Sequence, residues 1–413
     1  MKGRSGLIAA LDVGTTKICC LIAKPVGPDG LRVIGVGHQA SLGLRCGTLV
    51  DLDAAETAIR ATVEAAEQMA GDNIRHVVVN ISAGSPHSRL IAYEVPVSDQ
   101  QIGDADVHRV LDPSGYKDSL PADHEVIHSI PVGYSVDGCR GVRDPRGMYG
   151  QRLGVNLHVI TAPSGAVRNL MTCVSRCHLQ VAAKAVTPYA AALGCLVEDE
   201  ASLGVTLIDM GGGTTSVAVF FDSELVHTDS IAVGGLHVTR DIARGLSTPM
   251  LQAERIKTLF GSCLPSPSDD RQLIDVPPMT EDGASEVGQV PRSLIVNIVR
   301  PRLEEIFEMV RVRLHDAGFD QVAARRLVLT GGASQLPGAP ELAGMILDKQ
   351  VRLGRPQRIE GLPEAATGLA FGTSIGLLRY AARHARDSLQ GNYQPTSSPT
   401  RWARLGKWLR ENF

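Results

Sequence analysis

The feature that most constrains this chain is a short segment that occurs twice. "LDVGTTK" (Leu11 to Lys17) and "IDMGGGTT" (Ile208 to Thr215) each end an apolar run in aspartate, add one apolar residue, and turn through glycine and threonine. A second apolar run follows each, over Ile18–Ala23 and Ser216–Phe221. Aligned on their threonine pairs, Thr15-Thr16 matches Thr214-Thr215 and the second copy has two extra glycines. The copies lie about 200 residues apart in a chain of 413, so each half owns one. A single Asp-x-Gly at a strand end is an ordinary turn. Two matched copies in separate halves read as a duplicated domain with a cleft between the halves.

Such a turn has chemistry. Successive backbone N–H groups in a tight Gly/Thr turn form an anion-binding concavity, and glycine allows the positive φ angles and close approach that a phosphate needs. The candidate phosphate-binding residues are Gly14, Thr15, Thr16 and Lys17 in the first copy and Gly211, Gly212, Gly213, Thr214 and Thr215 in the second. The aspartates that close the preceding strands, Asp12 and Asp209, are placed to hold Mg²⁺ through water, because magnesium keeps much of its hydration shell. A third segment, "LVLTGGASQLPG" (Leu327 to Gly338), runs a strand into Gly331-Gly332, where a flat ring can lie on the backbone. Neither GxxxxGK[ST] nor GxGxxG occurs, so P-loop and Rossmann readings lack support.

Elsewhere strand-like runs alternate with helix-like ones, which predicts α/β architecture. Strands are expected over Leu7–Leu11, His76–Ile81, Val155–Thr161, Gly204–Asp209 and Arg326–Thr330. Helices are expected over Ala54–Ala70, capped by Asp53 with Ile59, Val63, Ala66 and Met69 inward, and over Ser164–Cys177, Leu251–Phe260, Pro301–Ala317 and Ala339–Leu347. Residues 82–163 carry turn formers and short alternating strands, the pattern of an inserted subdomain. "TEDGAS" reads as a hairpin turn between "LIDVPP" and "EVGQVP". After Tyr380 the periodicity stops, and residues 381–400 read as a flexible linker before a last helix.

Net charge is −3, so the whole chain has no bias towards nucleic acid. Eight cysteines are scattered, and the one cluster, "CVSRCH" (Cys173 to His178), has no second pair to complete a zinc site. Asp12 cuts the first apolar run at five residues, too short for a signal-peptide core. A cytoplasmic protein in a reducing compartment is the expectation.

At these residues the sequence resembles the actin-like ATPase superfamily and, within it, the FtsA family of bacterial cell-division proteins. "LDVGTTK" and "IDMGGGTT" are similar to the superfamily's two phosphate loops and "VLTGGASQLPG" to its adenosine motif. "AKAVTPYAAALG" (Ala183 to Gly194) and "EAATGLAFGTSIGLL" (Glu364 to Leu378) are similar to its two connecting helices. "AERIKTLFG" resembles the helix whose Glu and Lys contact ribose and adenine, here Glu254 and Lys257, which otherwise read as a surface i,i+3 ion pair. With Gly331, Gly332 and Ala333 they are the expected adenosine-binding residues. The position of the insertion, "VNISAGSPHSRL" to "GVNLHVITAP", points to the FtsA family.

The resemblance implies a duplicated, ribonuclease H-like α/β fold around a nucleotide cleft. Residues 1–81 and 164–202 form the first domain, 82–163 its insertion, and 203–380 the second domain with an outer part at about 235–318. It implies ATP and Mg²⁺ as cofactors. One position departs from the superfamily: Thr187-Pro188 stands where a polar or acidic residue often orients the attacking water. Threonine is a poor general base. With Thr187 as the candidate catalytic residue, nucleotide binding is expected rather than substantial turnover.

The only tryptophans, Trp402 and Trp408, fall in the last thirteen residues. At about 100° per residue, Trp402, Leu405, Trp408, Leu409 and Phe413 share an arc of about 140°. Arg404, Lys407, Arg410 and Glu411 face away, and Arg401 sits at the edge. A helix of this length spans about 20 Å, short of a hydrocarbon core about 30 Å thick. It reads as an amphipathic membrane-targeting helix on an anionic lipid surface, or as a helix docked on a protein. The family's tail agrees with the first reading.

The resemblance therefore implies a protein that polymerises and tethers the FtsZ ring to the cytoplasmic face of the inner membrane at the septum. Its partners would be the FtsZ C-terminal peptide, its own copies, anionic lipid and downstream division proteins, with no nucleic acid. Arg300, Arg302, Arg311 and Arg313 in the outer part are candidates to meet an acidic peptide, or a solvated helix face. The alternatives are a PilM-like pilus-assembly scaffold, which lacks the tail, and a small-molecule kinase, which needs a catalytic base not evident here.

Overall fold

The computed structural model describes residues 6–27, 30–97, 101–116, 119–279, 288–319 and 325–390. The first apolar run becomes β1 (Ile8–Val13), which forms an antiparallel meander with β2 (Lys17–Val26) and β3 (Gly30–Ala40). A short ribbon, β4 (Leu44–Arg45) with β5 (Thr48–Leu49), leads into α1 (Leu52–Ala70) and then β6 (His76–Ile81), parallel to β1. Asp51, not Asp53, caps α1: its Oδ1 accepts from Ala54 N at 3.0 Å. The helix starts earlier than expected because Leu52 already packs on the core, while Met69 faces out.

The insertion is its own antiparallel sheet. β7 (His87–Pro96), α2 (Asp104–Leu111), β8 (His124–Val136), β9 (Cys139–Val142) and β10 (Arg152–Pro163) follow in chain order, with sheet order β7-β10-β8-β9. Val95, Val107, Leu153 and Leu157 fill its core. The chain returns through α3 (Ser164–Arg176), β11 (Gln180–Val186), α4 (Thr187–Cys195) and α5 (Glu198–Leu203).

The second half repeats the first. β12 (Val205–Met210), β13 (Thr215–Phe221) and β14 (Glu224–Ile231) form the meander. α6 (Gly235–Gly245), α7 (Met250–Phe260), the ribbon β15 (Leu273–Val276) with β16 (Gly288–Pro291), and α8 (Arg292–Asp316) come next. β17 (Arg326–Thr330) then pairs parallel with β12, α9 (Ala339–Leu347) crosses over, and β18 (Gln350–Leu353) pairs parallel with β17. The sheets read β11-β6-β1-β2-β3 and β18-β17-β12-β13-β14. Each is a meander on one side and two parallel strands on the other, so the duplication is one of topology.

Two further expectations are corrected. α8 does not begin at Pro301 but runs through it, because its buried stripe (Val296, Val299, Leu303, Phe307, Val310, Leu314) is continuous across the proline. The last described helix, α10 (Gly372–Gln390), continues ten residues past Tyr380, so residues 381–390 are not linker. They contain no glycine or proline, and Ala381 and Ala382 are buried. The hairpin turn at "TEDGAS" and the tail over 401–413 lie outside the described residues, although β15 and β16 pair as expected.

The connecting helices are exchanged between the halves. α4 leaves the first sheet and packs Ala191, Ala192 and Cys195 against Leu207, Ala218 and Val328 of the second. α10 leaves the second sheet and packs Ile375, Leu378 and Ala381 against Ala10, Leu21 and Val78 of the first. The two helices touch through Gly194, Gly372 and Gly376, where an added Cβ would collide with the opposite backbone or with Cys195.

Candidate functional site

The two duplicated turns face each other across the cleft. Gly14 N donates to Lys17 O at 2.9 Å, and Gly211 N donates to Thr214 O at 2.9 Å. In register, Asp12 opposes Cys19 and Val13 opposes Ile18; Asp209 opposes Ser216 and Met210 opposes Thr215. The hairpins are therefore equal in length, and the expectation of two extra glycines is corrected. Gly212 and Gly213 take the places of Thr15 and Thr16, and Thr214 takes that of Lys17. The matching Thr-Thr pairs suggested the wrong alignment, because the pleat counts from aspartate and ignores identity.

That offset is complementary. A Cβ on Gly212 would collide with the Thr16 side chain, and one on Gly213 would lie 2.5 Å from Thr15 Oγ1 and 2.9 Å from Cys46 Cα. Threonines of one turn fill the space that the glycines of the other leave open. Gly47, in the β4–β5 turn, donates its N–H to Thr15 Oγ1 at 2.8 Å. At the far side, Gly235 N and Leu236 N, at the start of α6, donate to Gly211 O (2.9 Å) and Gly212 O (2.8 Å). The loop carbonyls are thus engaged. Among the described residues the amides of Thr15, Thr16, Gly212 and Gly213 meet no acceptor in the protein. Unspent amides on two facing turns form a cradle for an anion. Thr215 lies outside it, already in β13, with its hydroxyl donating to Val233 O at 2.8 Å.

Behind the turns stand the aspartates, both buried. Ser374 Oγ donates to Asp12 Oδ2 at 2.6 Å, and Thr373 Oγ1 donates to Asp209 Oδ2 at 2.9 Å. Burial pushes both carboxyls up. Lys17 and the Ser374 hydroxyl oppose this at Asp12. Asp209 rises to about 6; the Thr373 hydroxyl holds it down, the Asp12 charge adds to the rise, and Lys17 opposes it. Lys17 Nζ donates to Ala370 O and sits 3.9 Å from the centre of the Phe371 ring. The donors are all oxygens, which suits a hard cation that keeps its water. Among the described residues no group of three or more His, Cys, Asp or Glu could hold a metal, so a dication here would rest on two carboxylates and its own hydration shell.

The expected adenosine residues converge on the same side. Lys257 Nζ donates to Glu254 Oε2 (2.7 Å), Thr239 Oγ1 (2.9 Å) and Gly235 O (3.2 Å). The i,i+3 ion pair exists, but its lysine is largely buried against α6 rather than waving at the surface. A Cβ on Gly235 would lie 3.0 Å from Ala333 Cβ, so the "TGGA" turn closes this wall. Gly331 has φ +89°, and any side chain there would strike Asp209 Oδ1 and Met210 O. Glycine is required at that point by both conformation and space.

Thr187 opens α4, buried, with its Oγ1 accepting from Asn80 Nδ2 at 3.3 Å; Asn80 Oδ1 accepts from Val13 N at 2.7 Å. No carboxylate joins this hydrogen-bonded chain. Asn80, Thr239, Thr373 and Ser374 escaped the reading of the sequence. A lone Asn in the run "VVVNI" was a signal, since ligands gather at the carboxyl ends of parallel strands. Nothing marked Thr373 and Ser374 until α10 was placed. The arginines of α8 are engaged: Arg300 with Glu304, Arg302 with Asp241, Arg311 with Glu308 and Arg313 with Asp229. Arg311 and Arg313 remain more than half exposed, and exposed ion pairs of this kind are weak, so the arrangement is that of a solvated helix face.

The chain is similar to known proteins over nearly its whole length. A family described as cell division protein FtsA matches residues 206–376, and the SHS2 domain inserted in FtsA matches residues 84–161. A cell division protein FtsA of Rhizobium meliloti is 45% identical over 99% of this chain and 96% of its own length. Among solved structures, a chain of the PilM–PilN type IV pilus biogenesis complex superposes with TM-score 0.64 at 17% identity, covering 92% of this chain and 99% of that one. MreB5 of Spiroplasma citri bound to AMPPNP superposes with TM-score 0.56 at 13% identity, covering 94% of this chain and 99% of that one. At such identities the last two show a shared fold.

Proposed function

The chain belongs to the FtsA family of cell division proteins, and from that premise we propose that it is an ATP-binding, actin-like division protein that anchors the FtsZ ring to the membrane. The observation that carries nucleotide binding is the pair of facing turns with unspent amides, backed by two buried aspartates. Gly14–Lys17 and Gly211–Thr214 would hold the phosphates through their unspent amides. Glu254, Lys257 and Gly331–Ala333 take the adenosine. Asp12 and Asp209 would hold Mg²⁺, which would supply charge neutralisation for the phosphates. Thr187, tied to Asn80, orients rather than deprotonates, so the clamp binds and releases nucleotide with slow turnover.

Membrane attachment rests on the sequence of residues 401–413, with aromatic residues on one face and Arg401, Arg404, Lys407 and Arg410 for anionic lipid. A single short helix attaches weakly, and an actin-like polymer multiplies it. Among the described residues no helix is long and apolar enough to cross a membrane. The outer part of the second half exposes Met250, Leu251, Leu273, Met279 and Leu294, apolar side chains suited to a docked FtsZ peptide. Liposome co-sedimentation of the full chain and of a chain ending at Thr400 tests this reading. The full chain should pellet and bring FtsZ down with it. A truncated chain that still pellets and recruits FtsZ contradicts it.

A further inference from the structure

Thr373 and Ser374 are neighbours in the first turn of α10, yet they donate to carboxylates that belong to different halves of the molecule. Helix geometry explains how. Successive residues diverge by about 100° around the axis, so one hydroxyl addresses Asp209 on β12 and the next addresses Asp12 on β1. The duplication supplies two aspartates, but α10 occurs once. A single helix end therefore serves both. The segment before it is held from both halves too. Lys17 of the first half binds Ala370 O, and Gly331 N of the second donates to Leu369 O at 3.2 Å.

We propose that Thr373 and Ser374 are positioning residues that orient Asp209 and Asp12 for one hydrated dication and tie its occupancy to the first turn of α10. This rests on the reading that nucleotide and its dication bind between the two turns. Each hydroxyl takes one oxygen of its carboxylate, fixes the rotamer and favours the ionised form in a buried setting. Partners of this kind, one step removed from a metal, are worth about 10–100-fold in metal affinity. The two bonds also constrain motion. If the halves rotate apart, Asp12 and Asp209 separate, and two adjacent hydroxyls on one rigid turn cannot follow both. Filling the site therefore stiffens residues 372–374, and α10 carries that constraint into the first-half core through Ile375, Leu378 and Ala381.

The test uses the full chain and a fluorescent ATP analogue, titrated with magnesium from excess EDTA to millimolar concentration. Ser374→Ala and Thr373→Val remove one hydroxyl each, from different halves, and either alone suffices if the other folds poorly. Each should leave affinity in EDTA within about twofold of wild type and raise the magnesium midpoint about tenfold. Thr373→Ser should restore the midpoint. Amide exchange over residues 372–378 should slow with magnesium and nucleotide in the wild type and not in the two variants. A magnesium midpoint unchanged in both, or an equal loss of affinity with and without magnesium, overturns the proposal. A wild-type chain that binds no nucleotide overturns the clamp reading beneath it.

Discussion

Asp209, buried near Asp12 and pushed up to about 6, would make the proposed dication site sensitive to pH. Metal and proton compete for the carboxylate. Magnesium-dependent nucleotide affinity should fall as pH drops below about 6, approaching tenfold per unit, and Asp209→Asn should abolish that slope together with most of the magnesium dependence. A titration flat from pH 7.5 to 5 would count against the assignment. The glycines give a sharper test. Gly212→Ala would meet the Thr16 side chain first, so Thr16→Ala should rescue nucleotide binding in the double variant. Gly213→Ala meets the backbone of Cys46 as well as Thr15, so Thr15→Ala should not rescue it. Coupling of the first pair without the second, measured by a double-mutant cycle in binding free energy, is the expected outcome. Equal rescue of both would mean that the contacts are misassigned. At this scale the sequence showed which residues form the turns, because glycine and aspartate at strand ends carry their own physics. It misaligned Thr15 and Thr16, because register is a property of the paired strands and not of either segment alone.

Where the inserted sheet meets the second half, β8, β10 and β14 bring His128, His158 and His227 together. Burial pushes His158 down to about 3, with His227 and His128 adding to it, and pushes His128 and His227 to about 4. The unfolded chain takes up these protons near pH 6.5, so the folded state binds fewer. The stability from these histidines is full above pH 6.5 and drains away as pH falls towards 4. Asp209 has the opposite sign, since its raised pKa gives stability at low pH that is lost as pH rises from about 4 to 6. The raised carboxyls of Asp12 and of Glu224, which burial pushes up to about 7, act in the same direction as Asp209 and oppose the loss from the histidines, so each histidine's share is read from its own variant. His158→Leu should reduce the difference in stability between pH 7.5 and 5 by about 2 kcal/mol. An unchanged difference would show that His158 is not the proton-excluding group. Gly376→Ala probes the other seam. Its Cβ would strike Ala190 O, and overpacking costs about 1–3 kcal/mol against the ~1 kcal/mol that alanine gains in a helix. A net loss in chemical denaturation is expected, and a stabilised variant would contradict the close approach of α4 and α10. Elements were legible where an apolar run is bounded by glycine, as α9 is after Gly338 and β17 is before Gly331. The reading failed at Pro301, where burial on both sides outweighs one lost hydrogen bond. It failed again after Tyr380, where polar residues of a helix exposed on one side looked like linker.

For the whole molecule, duplication was the property most open to reading, since two aspartate turns in a chain of this length leave few architectures. What stayed hidden was the exchange of connecting helices. Nothing local in "TPYAAALGC" or "GTSIGLLRY" says that each packs on the sheet of the opposite half. That exchange ties the sheet of each half to a helix that leaves the other. A nucleotide held by both halves would make each half necessary. Calorimetric titration of ATP with magnesium into the full chain, beside Asp12→Asn from the first half and Gly213→Ala from the second, tests it directly. One nucleotide per wild-type chain is expected, with binding weakened at least about tenfold in both variants. Wild-type affinity in either variant, or no binding by the wild type, would contradict it.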